Sequence, residues 1–262
     1  TGVQTCALPI WAKEIILVAQ DLGCYGRDIG LTDGLVRLID DISVIDAVEW
    51  IRIMYVHPAS LTRGLVRQIE TNPRVCPYID LPVQHVSDTV LKAMGRRGGA
   101  KAVHRAFDMI RSAAREIWIR TSLMVGHPGE DGQAYAELRD FVSRGTVDHL
   151  GVFVYSPETG TKSAAMKDFP ARRTALARMR GIMGLQRSLS KKRLHKMKGK
   201  RIQVLVEGYH PETDLLLAGR ASFQAPEIDG TVIINEGGAD AGDMAEVEIT
   251  GSMEYDLVGR IV

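Results

Sequence analysis

Polar and glycine-rich strings follow four apolar runs within the first 160 residues of this 262-residue chain. Amide, imidazole and carboxylate groups in such strings can bind a polar ligand or transfer protons, and glycine lets the backbone approach a ligand closely. Each string alone is a weak signal, because a Gly-Pro-Gly cluster after a strand is more often a turn than a ligand site. The strings are Gln20-Asp21, Gln84-His85, Gly126-His127-Pro128-Gly129-Glu130 and Tyr155-Ser156-Pro157-Glu158.

The three cysteines, Cys6, Cys24 and Cys76, lie far apart in the chain. Their separations match neither a disulfide framework nor a compact metal-ligand motif. We interpret them as unpaired thiols and predict no metal site.

Apolar β-branched runs alternate with helical segments up to residue 155. This alternation predicts right-handed parallel crossovers, and hence an α/β fold that is either a doubly wound sheet or a (β/α) barrel. In such barrels the chemistry lies at the C-terminal ends of the strands, which is where the polar strings fall. The predicted strands span residues 14–19, 50–56, 78–83, 117–125 and 149–155, and the predicted helices span 31–41, 61–70, 88–94, 100–115 and 133–144.

The pattern changes after residue 170. Residues 171–197 combine periodic apolar side chains with many basic ones, which predicts one long basic linker helix. Residues 198–262 contain short apolar runs separated by glycine turns, which predict a five-strand, all-β barrel of the OB type. Residues 11–170 therefore form the first predicted domain and residues 198–262 the second.

Charge is unevenly distributed, although the formal net charge is only +1. From Lys198 onward there are five basic and twelve acidic residues, whereas residues 167–201 carry thirteen basic residues and one acid, Asp168. A basic run of this kind is either a solvated helix face or a surface that meets phosphate. The acidic C-terminal part would repel a nucleic-acid backbone and attract a basic protein.

The composition is that of an ordinary globular protein, with 45% hydrophobic and 25% charged residues. No apolar stretch approaches the roughly 20 residues that a bilayer span requires. The N-terminal residues lack the pattern of a signal peptide. The sequence thus predicts a cytoplasmic protein without a membrane partner.

Longer strings, taken in order, resemble the radical SAM methylthiotransferase family, in which SAM is S-adenosylmethionine. The resemblance covers about residues 12–262 and implies a partial radical SAM (β/α) barrel followed by a small OB-like TRAM barrel. The strings similar to the radical SAM barrel are Lys13 to Asp21, Trp50 to Tyr55, Tyr78 to His85, Leu91 to Gly98, Arg120 to Glu130 and Gly151 to Thr161, and those similar to TRAM are Gly219-Arg220, Ala225 to Gly230 and Glu254 to Leu257.

Within the family, Gln84-His85, Glu158 and the string from Ala225 to Asp229 resemble the RimO-type branch. That branch implies an enzyme that adds a methylthio group to the β-carbon of an aspartate of small-subunit ribosomal protein uS12. Two alternatives stay open. One is the branch that modifies adenosine in tRNA, and the other is a non-catalytic fragment that binds RNA or the ribosome through the basic residues 171–201.

The family resemblance implies two kinds of cofactor in the complete protein, namely SAM and a pair of [4Fe–4S] clusters. One cluster is held by a CxxxCxxC loop, which has no counterpart here and should precede Lys13 by some two dozen residues. We therefore expect this chain to lack the cluster cysteines, and with them any catalytic residue, to bind no cluster and to be inactive alone. Residues 1–10 are interpreted as a foreign or misjoined segment.

The resemblance also implies which residues meet the ligands. Arg120 lies in the middle of a predicted strand, where a buried charge needs a partner, and a carboxylate of SAM is the expected one. Asp21 is equally well explained as a helix cap. The implied cofactor-binding residues are Gln20, Asp21, Gln84, Arg120, Val125, Gly126 and Glu130, and the implied substrate-binding residues are His85, Glu158, Arg220, Glu227 and Asp229.

Overall fold

Five parallel strands alternate with helices in the first part of the molecule, and five further strands form a barrel at its C-terminal end. The computed structural model describes residues 12–262. The first strands are β1 (Glu14–Leu17), β2 (Trp50–Ile53), β3 (Tyr78–Asp80), β4 (Trp118–Val125) and β5 (His149–Val154). The helices are α1 (Gly34–Ser43), α2 (Arg63–Thr71), α3 (Asp88–Ala93), α4 (Gly99–Arg111), α5 (Gly132–Ser143) and α6 (Arg172–His195).

The five strands lie side by side in chain order and form an open, all-parallel arc. β1 pairs with β2, and β3 pairs with β4, which pairs with β5. Between β2 and β3 the Ile51 N–H donates to the Arg74 carbonyl at 2.7 Å, and the Cys76 N–H donates to the Ile51 carbonyl at 2.9 Å. The predicted alternation is therefore confirmed.

Four of these five strands end earlier than the apolar runs predict, and β4 ends at Val125 as predicted. β2 stops before Tyr55, whose φ of 55° leaves the extended region. β3 stops before Pro82, which has no N–H to donate to a sheet ladder. The apolar composition indicates how long the buried segment is, whereas the regular hydrogen-bonded strand within that segment is shorter.

The helices cover one side of the arc and enclose the main core. In β4 the fully buried side chains of Ile119, Leu123 and Val125 alternate with partly exposed ones, because successive side chains of a strand point to opposite faces. The helices begin at side-chain caps where the sequence supplies them. Thr62 accepts the Leu65 N–H at 3.2 Å at the start of α2.

The basic helix predicted over residues 171–197 is α6, and it packs along β5 and α5. Its buried side includes Ile182 and Leu194. Three of its arginines reach acids of the surrounding structure, since Arg178 pairs with Glu130, Arg187 with Glu254, and Arg193 with both Glu116 and Asp148. The helix is thus part of the packed structure as well as a connection.

The C-terminal strands form a closed barrel in the order β10-β8-β7-β6-β9. This confirms the predicted small β-barrel. Gly219 permits the close approach of two strands, since a Cβ there would lie 2.6 Å from Cγ1 of Val204. The strands are β6 (Arg201–His210), β7 (Thr213–Ala221), β8 (Val232–Glu236), β9 (Met244–Ser252) and β10 (Leu257–Ile261).

No helix within residues 12–262 is both long and apolar enough to cross a membrane.

Candidate functional site

The side of the arc that faces away from helices α1 to α5 carries the candidate site, and we call it the concave face. On β4 its side chains are Arg120, Ser122 and Met124, which are partly exposed. On β5 the residues in register with them are His149, Gly151 and Phe153. Each strand therefore contributes one residue near its start and others near its C-terminal end.

At the strand starts, a first ion network ties the arc to the C-terminal barrel. The carboxylate of Glu14 accepts from Arg52 Nε and from Arg220 Nη2, each at 2.6 Å. Arg220 Nε also donates to Glu207 at 2.6 Å, and Arg52 Nη1 donates to the Ser222 carbonyl at 2.8 Å. The two guanidinium groups and the Glu14 carboxylate are almost entirely buried.

A second network lies beside the first. Arg120 Nη1 donates to Asp229 Oδ1 at 2.6 Å, and the Tyr78 hydroxyl donates to Asp229 Oδ2 at 2.8 Å. Asp80 Oδ1 lies 3.9 Å from Arg120 Nε and has no hydrogen-bond partner within residues 12–262. Burial raises the pKa of the Asp80 carboxyl to about 6, although Arg120 and the Tyr55 N–H act in the opposite direction.

Aromatic packing completes this junction. The rings of Trp118 and Phe223 stack with centroids 4.1 Å apart, and the Arg193 guanidinium lies 4.5 Å from the Trp118 ring centre. His149 Nε2 lies 2.8 Å from the Phe223 carbonyl oxygen. The starts of the strands are therefore closed by the barrel.

This junction contains three residues that the sequence predicts as ligand contacts, namely Arg120, Arg220 and Asp229. Arg120 pairs with Asp229 where a SAM carboxylate is the expected partner, and Arg220 pairs with Glu14. Their charges are satisfied between the two domains, because a buried charge is stabilised by whichever fixed counter-charge lies within reach. These ion pairs join the two domains, and the ligand contacts of the three residues stay predictions.

The C-terminal ends of the same strands are open. Large apolar side chains are exposed there, at 62% for Val18, 47% for Tyr55 and 57% for Phe153. Exposed apolar groups grouped at strand ends are typical of a ligand site. We call this region, lined by Val18, Tyr55, Gln84, Met124 and Phe153, the cup.

Two residues at the cup hold the left-handed backbone conformation that favours glycine. The φ angles are 55° at Tyr55 and 68° at Gln84. Gln84 nevertheless keeps its sheet bonds, since its N–H donates to the Ser122 carbonyl at 2.9 Å and its carbonyl accepts from Met124 at 2.7 Å. Such conformations persist where surrounding structure enforces them, and they are common at functional sites.

His85 lies beneath the cup. Its side chain is fully buried, so it does not face the mouth as the sequence predicts. Its Nδ1 accepts the Ser87 N–H at 3.0 Å, which leaves the proton of a neutral ring on Nε2. Nε2 lies 3.6 Å from Glu130 Oε2 and has no hydrogen-bond partner among the described residues. In this arrangement His85 supports the glycine loop.

The conformation of the loop from Gly126 to Glu130 is stabilised by the carboxylate of Glu130, one of its own residues. Glu130 Oε2 accepts the Gly126 N–H at 2.9 Å, and its Oε1 accepts from Arg178 at 2.5 Å. Gly126 has a φ of 80°, and a Cβ there would lie 2.6 Å from the Cβ of Ala175. The Val125 carbonyl accepts from Tyr155 N at 2.8 Å. Glu130 is thus buried and shapes the loop, and its contact with SAM stays a prediction.

Near the cup, the Asp21 carboxylate accepts hydrogen bonds from four side-chain and backbone donors. It accepts from Ser60 Oγ at 2.6 Å, Cys24 Sγ at 3.1 Å and His57 N at 3.1 Å, and Arg97 Nη2 lies at 3.2 Å. Burial alone would raise the pKa of this carboxyl, but the hydrogen bonds outweigh it and the pKa is lowered. Asp21 is therefore an anion at neutral pH, and its side chain caps no helix.

The remaining predicted residues lie apart from one another. Gln20 is exposed beside Asp21, and Glu158 is exposed in the loop after β5. Glu227 is exposed in the loop that carries Asp229, at the strand starts. Glu158 and Glu227 are therefore at opposite ends of the arc and do not form one site.

Sequence reasoning missed several residues of both regions. Glu14 and Arg52 are charges inside apolar strand runs, and that signal could have identified them as partners. Tyr55 and Phe153 look like ordinary core residues in the sequence, because nothing local shows that their face is left open.

The described cysteines supply no cluster site. Cys24 donates to Asp21, and burial raises the pKa of Cys76 to about 11. Residues 12–262 contain no group of three or more His, Cys, Asp or Glu side chains that could hold a metal ion. Cys6 and the segment predicted to be foreign, residues 1–10, lie outside the described residues.

Comparison with known sequences identifies both domains. The family model of the radical SAM superfamily matches residues 12–142, and that of the TRAM domain matches residues 199–262. The chain is similar to the ribosomal protein uS12 methylthiotransferase RimO of Geobacter sulfurreducens, with 43% identity over 251 residues, which cover 96% of this chain and 56% of that protein. The protein of the same description from Citrifermentans bemidjiense is 42% identical over 250 residues, which cover 95% of this chain and 56% of the relative.

Among solved structures, the radical SAM enzyme coproporphyrinogen III oxidase (HemN) from Escherichia coli aligns with 64% of this chain and 38% of its own at 16% identity and a TM-score of 0.47. The chain spans 56% of the length of the two curated relatives. With a parallel α/β arc matched by one family model and a closed β-barrel matched by the other, this chain belongs to the radical SAM superfamily and carries a TRAM domain.

Proposed function

We propose that this chain is the SAM-facing and substrate-facing part of a methylthiotransferase that modifies an aspartate of ribosomal protein uS12. The observation that carries the proposal is the cup, where Val18, Tyr55 and Phe153 are exposed at the ends of strands whose starts are covered by the TRAM barrel. The two similar RimO proteins, which are described as uS12 methylthiotransferases, supply the reaction and the substrate.

The residues around the cup fit SAM chemically. The Tyr55 and Phe153 rings can face a sulfonium cation, which aromatic faces attract. The anionic Asp21 can pair with an ammonium group, with Gln20 beside it, and the Gln84 amide can bind a carboxylate or ribose hydroxyl. When bound to a reduced iron–sulfur cluster, SAM supplies a radical that abstracts hydrogen from an unactivated carbon. The residues named here bind SAM, orient it and exclude water.

The clusters themselves do not fit the described residues. Cys24 is engaged by Asp21, and the Cys76 thiol is buried with a raised pKa, whereas cluster ligands are exposed enough to bind iron as thiolates. We therefore place the two [4Fe–4S] clusters of the proposed activity outside residues 12–262. We expect those residues alone to be inactive and to bind no cluster.

A basic ribosomal protein suits the charge of the TRAM barrel. Residues 198–262 carry five basic and twelve acidic residues, so their field attracts a cationic partner. The proposed substrate contacts are Glu158, which is exposed after β5, and Glu227, which is exposed on the barrel loop. The interface between the two domains leaves both side chains free. Such a substrate also favours a cytoplasmic location. The tRNA-modifying alternative is disfavoured by the same acidic field.

A contact between α6 and RNA is a second candidate function. Helix α6 contains no acidic residue, and Arg173, Arg180 and Lys191 are exposed on its outer side. Because the apolar side of the helix is buried, the charged side chains on its free side are all cationic. This surface suits phosphate contacts that accompany binding to a ribosomal particle.

Calorimetric titration of the chain with SAM tests the cup. We expect Phe153→Ala to weaken SAM binding at least tenfold, and S-adenosylhomocysteine, which lacks the sulfonium charge, to bind the parent chain less tightly than SAM. Leu215→Ala is the matched control, since Leu215 is 89% exposed on the TRAM barrel. Equal SAM affinity in the parent and both variants, or no SAM binding by the folded parent chain, would overturn the assignment.

A further inference from the structure

A basic groove lies between helices α2 and α4, on the helical side of the arc. It encloses about 1590 Å³, and its floor includes Val66, Met109 and Ala113. Its walls carry six basic or imidazole side chains, which are Arg27, Arg63, Arg67, Lys101, His104 and Arg105. In the described part of the chain only two acids line it, Glu70 and Asp108. We call it the α2/α4 groove.

The cations of this groove lack counter-charges in the described part of the chain. No carboxylate of residues 12–262 lies within 4.0 Å of the charged nitrogens of Arg27, Arg63, Arg67, Lys101 or Arg105. All five side chains are exposed. The groove therefore presents concentrated positive charge from both walls.

The spacing of the cations is unfavourable for the isolated helices. Arg63 and Arg67 are four residues apart on α2, and Lys101 and Arg105 are four apart on α4, so each pair places like charges side by side. Elsewhere the chain places opposite charges at this spacing. Lys92 pairs with Asp88 at 2.7 Å on α3 in the same i, i+4 spacing. An arrangement that costs helix stability at two facing sites suggests a ligand that neutralises it.

We propose that the α2/α4 groove binds the phosphate backbone of single-stranded nucleic acid. Clustered Lys and Arg side chains release counterions when they meet phosphates, and two basic walls can follow a strand along its length. No Phe, Tyr or Trp side chain of residues 12–262 lines the groove, so base stacking contributes little and the site reads the backbone with weak sequence preference. This inference goes beyond the proposed methyl-thiolation and does not rest on it.

The concave shape favours a flexible polyanion over a membrane. A flat lipid surface cannot reach both walls, and the apolar residues of the groove lie on its floor. An acidic peptide has the same charge but offers carboxylates, and it serves as a competitor in the test.

Fluorescence anisotropy with a labelled oligouridylate of about 12 nucleotides, within the site size of many single-strand binders, tests the proposal. The variants are Arg63→Glu with Arg67→Glu, and Lys101→Glu with Arg105→Glu. We expect each double variant to weaken binding at least tenfold. We also expect the slope of log K against log salt to become shallower by about 1.4, because each lost phosphate contact contributes about 0.7 for a single strand. Circular dichroism verifies that each variant is folded, and the matching Gln variants replace any that is not.

The matched control is Arg37→Glu with Arg139→Glu, which makes the same charge change at two exposed cations on α1 and α5 that do not line the groove. Arg180→Glu with Lys191→Glu measures the contribution of α6 separately. Groove variants within twofold of the parent, or a control that loses as much affinity, would overturn the site. Displacement of the oligonucleotide by polyglutamate as effectively as by unlabelled oligonucleotide would overturn its assignment to phosphate.

Discussion

The two ends of the same five strands have opposite character. At their starts, Arg52, Arg220 and Arg120 are buried and paired with Glu14 and Asp229, and the TRAM barrel covers them. At their C-terminal ends, the Tyr55 and Phe153 rings are exposed, and Tyr55 and Gln84 have a left-handed backbone.

This difference separates stability from chemistry along a single sheet. Each of these charged side chains at the strand starts is paired with a fixed counter-charge. Removing one side chain of a pair therefore leaves the other buried and unpaired. An exposed ring or a strained residue at the C-terminal ends contributes little to stability, and under the proposed function it serves to bind a ligand. Substitutions at the two ends should therefore affect different measurements.

The largest effect on stability is expected at Glu14. Glu14→Ala removes the carboxylate that joins Arg52 and Arg220 and leaves two buried guanidinium groups with fewer partners. We expect the free energy of unfolding to fall by about 3 to 5 kcal/mol, the usual cost of breaking a buried pair. Urea denaturation followed by circular dichroism measures it.

Glu49→Ala is the control for this prediction. Glu49 pairs with Lys13 at 3.6 Å, and both side chains are more than one-third exposed. We expect a change of at most about 0.5 kcal/mol, as for other surface pairs. If the two variants lose equal stability, the strand starts are not the fixed end of the arc.

The next effect depends on pH and concerns Asp80. Its pKa is about 6 in the folded protein against an ordinary value of 3.8, so between these values the folded state retains a proton that the unfolded chain has lost. The contribution of Asp80 to stability should therefore fall as pH rises from about 4 to about 6, by roughly 2 to 3 kcal/mol, and then stay level.

Asp80→Asn removes this dependence, because an amide keeps an oxygen for the Tyr55 N–H and never ionises. We expect the variant and the parent to unfold with nearly equal free energies at pH 4, and the variant to be more stable at pH 8 by roughly 2 to 3 kcal/mol. Asp140→Asn, at an exposed carboxylate, should show no such gain. A constant difference between parent and Asp80→Asn at all pH values would contradict the assignment.

The sequence predicts much of the fold because its signals are local. The alternation of apolar runs and helical segments specifies the parallel arc, and glycine turns specify the C-terminal barrel. The strand ends are less predictable. The left-handed φ of Tyr55 and Gln84 is imposed by the surrounding structure, and neither residue type favours it.

The site is predicted less well because pairing across domains is not a local property. A buried Arg120 requires a partner, and the sequence alone cannot distinguish a ligand carboxylate from Asp229, which lies 109 residues away. Likewise, Gly126 to Glu130 reads as a ligand loop, whereas the Glu130 carboxylate is already occupied by Gly126 and Arg178. The types of residue indicate where charges gather, and only the packing shows which of them remain free.

The smallest effect on stability is expected at Gln84 and has the opposite sign. Gln84→Gly relieves a left-handed conformation that costs a non-glycine residue about 1 to 2 kcal/mol, and part of the gain is lost because glycine gives the unfolded chain more freedom. We expect the free energy of unfolding to rise by up to about 1 kcal/mol in urea denaturation. Gln84→Ala removes the same amide but keeps the Cβ, so it should leave stability nearly unchanged. Both variants should weaken SAM binding in calorimetric titration, because both lack the amide at the cup. A Gln84→Gly variant that is less stable than Gln84→Ala, or that binds SAM as tightly as the parent, would mean that the left-handed residue is not retained for ligand binding.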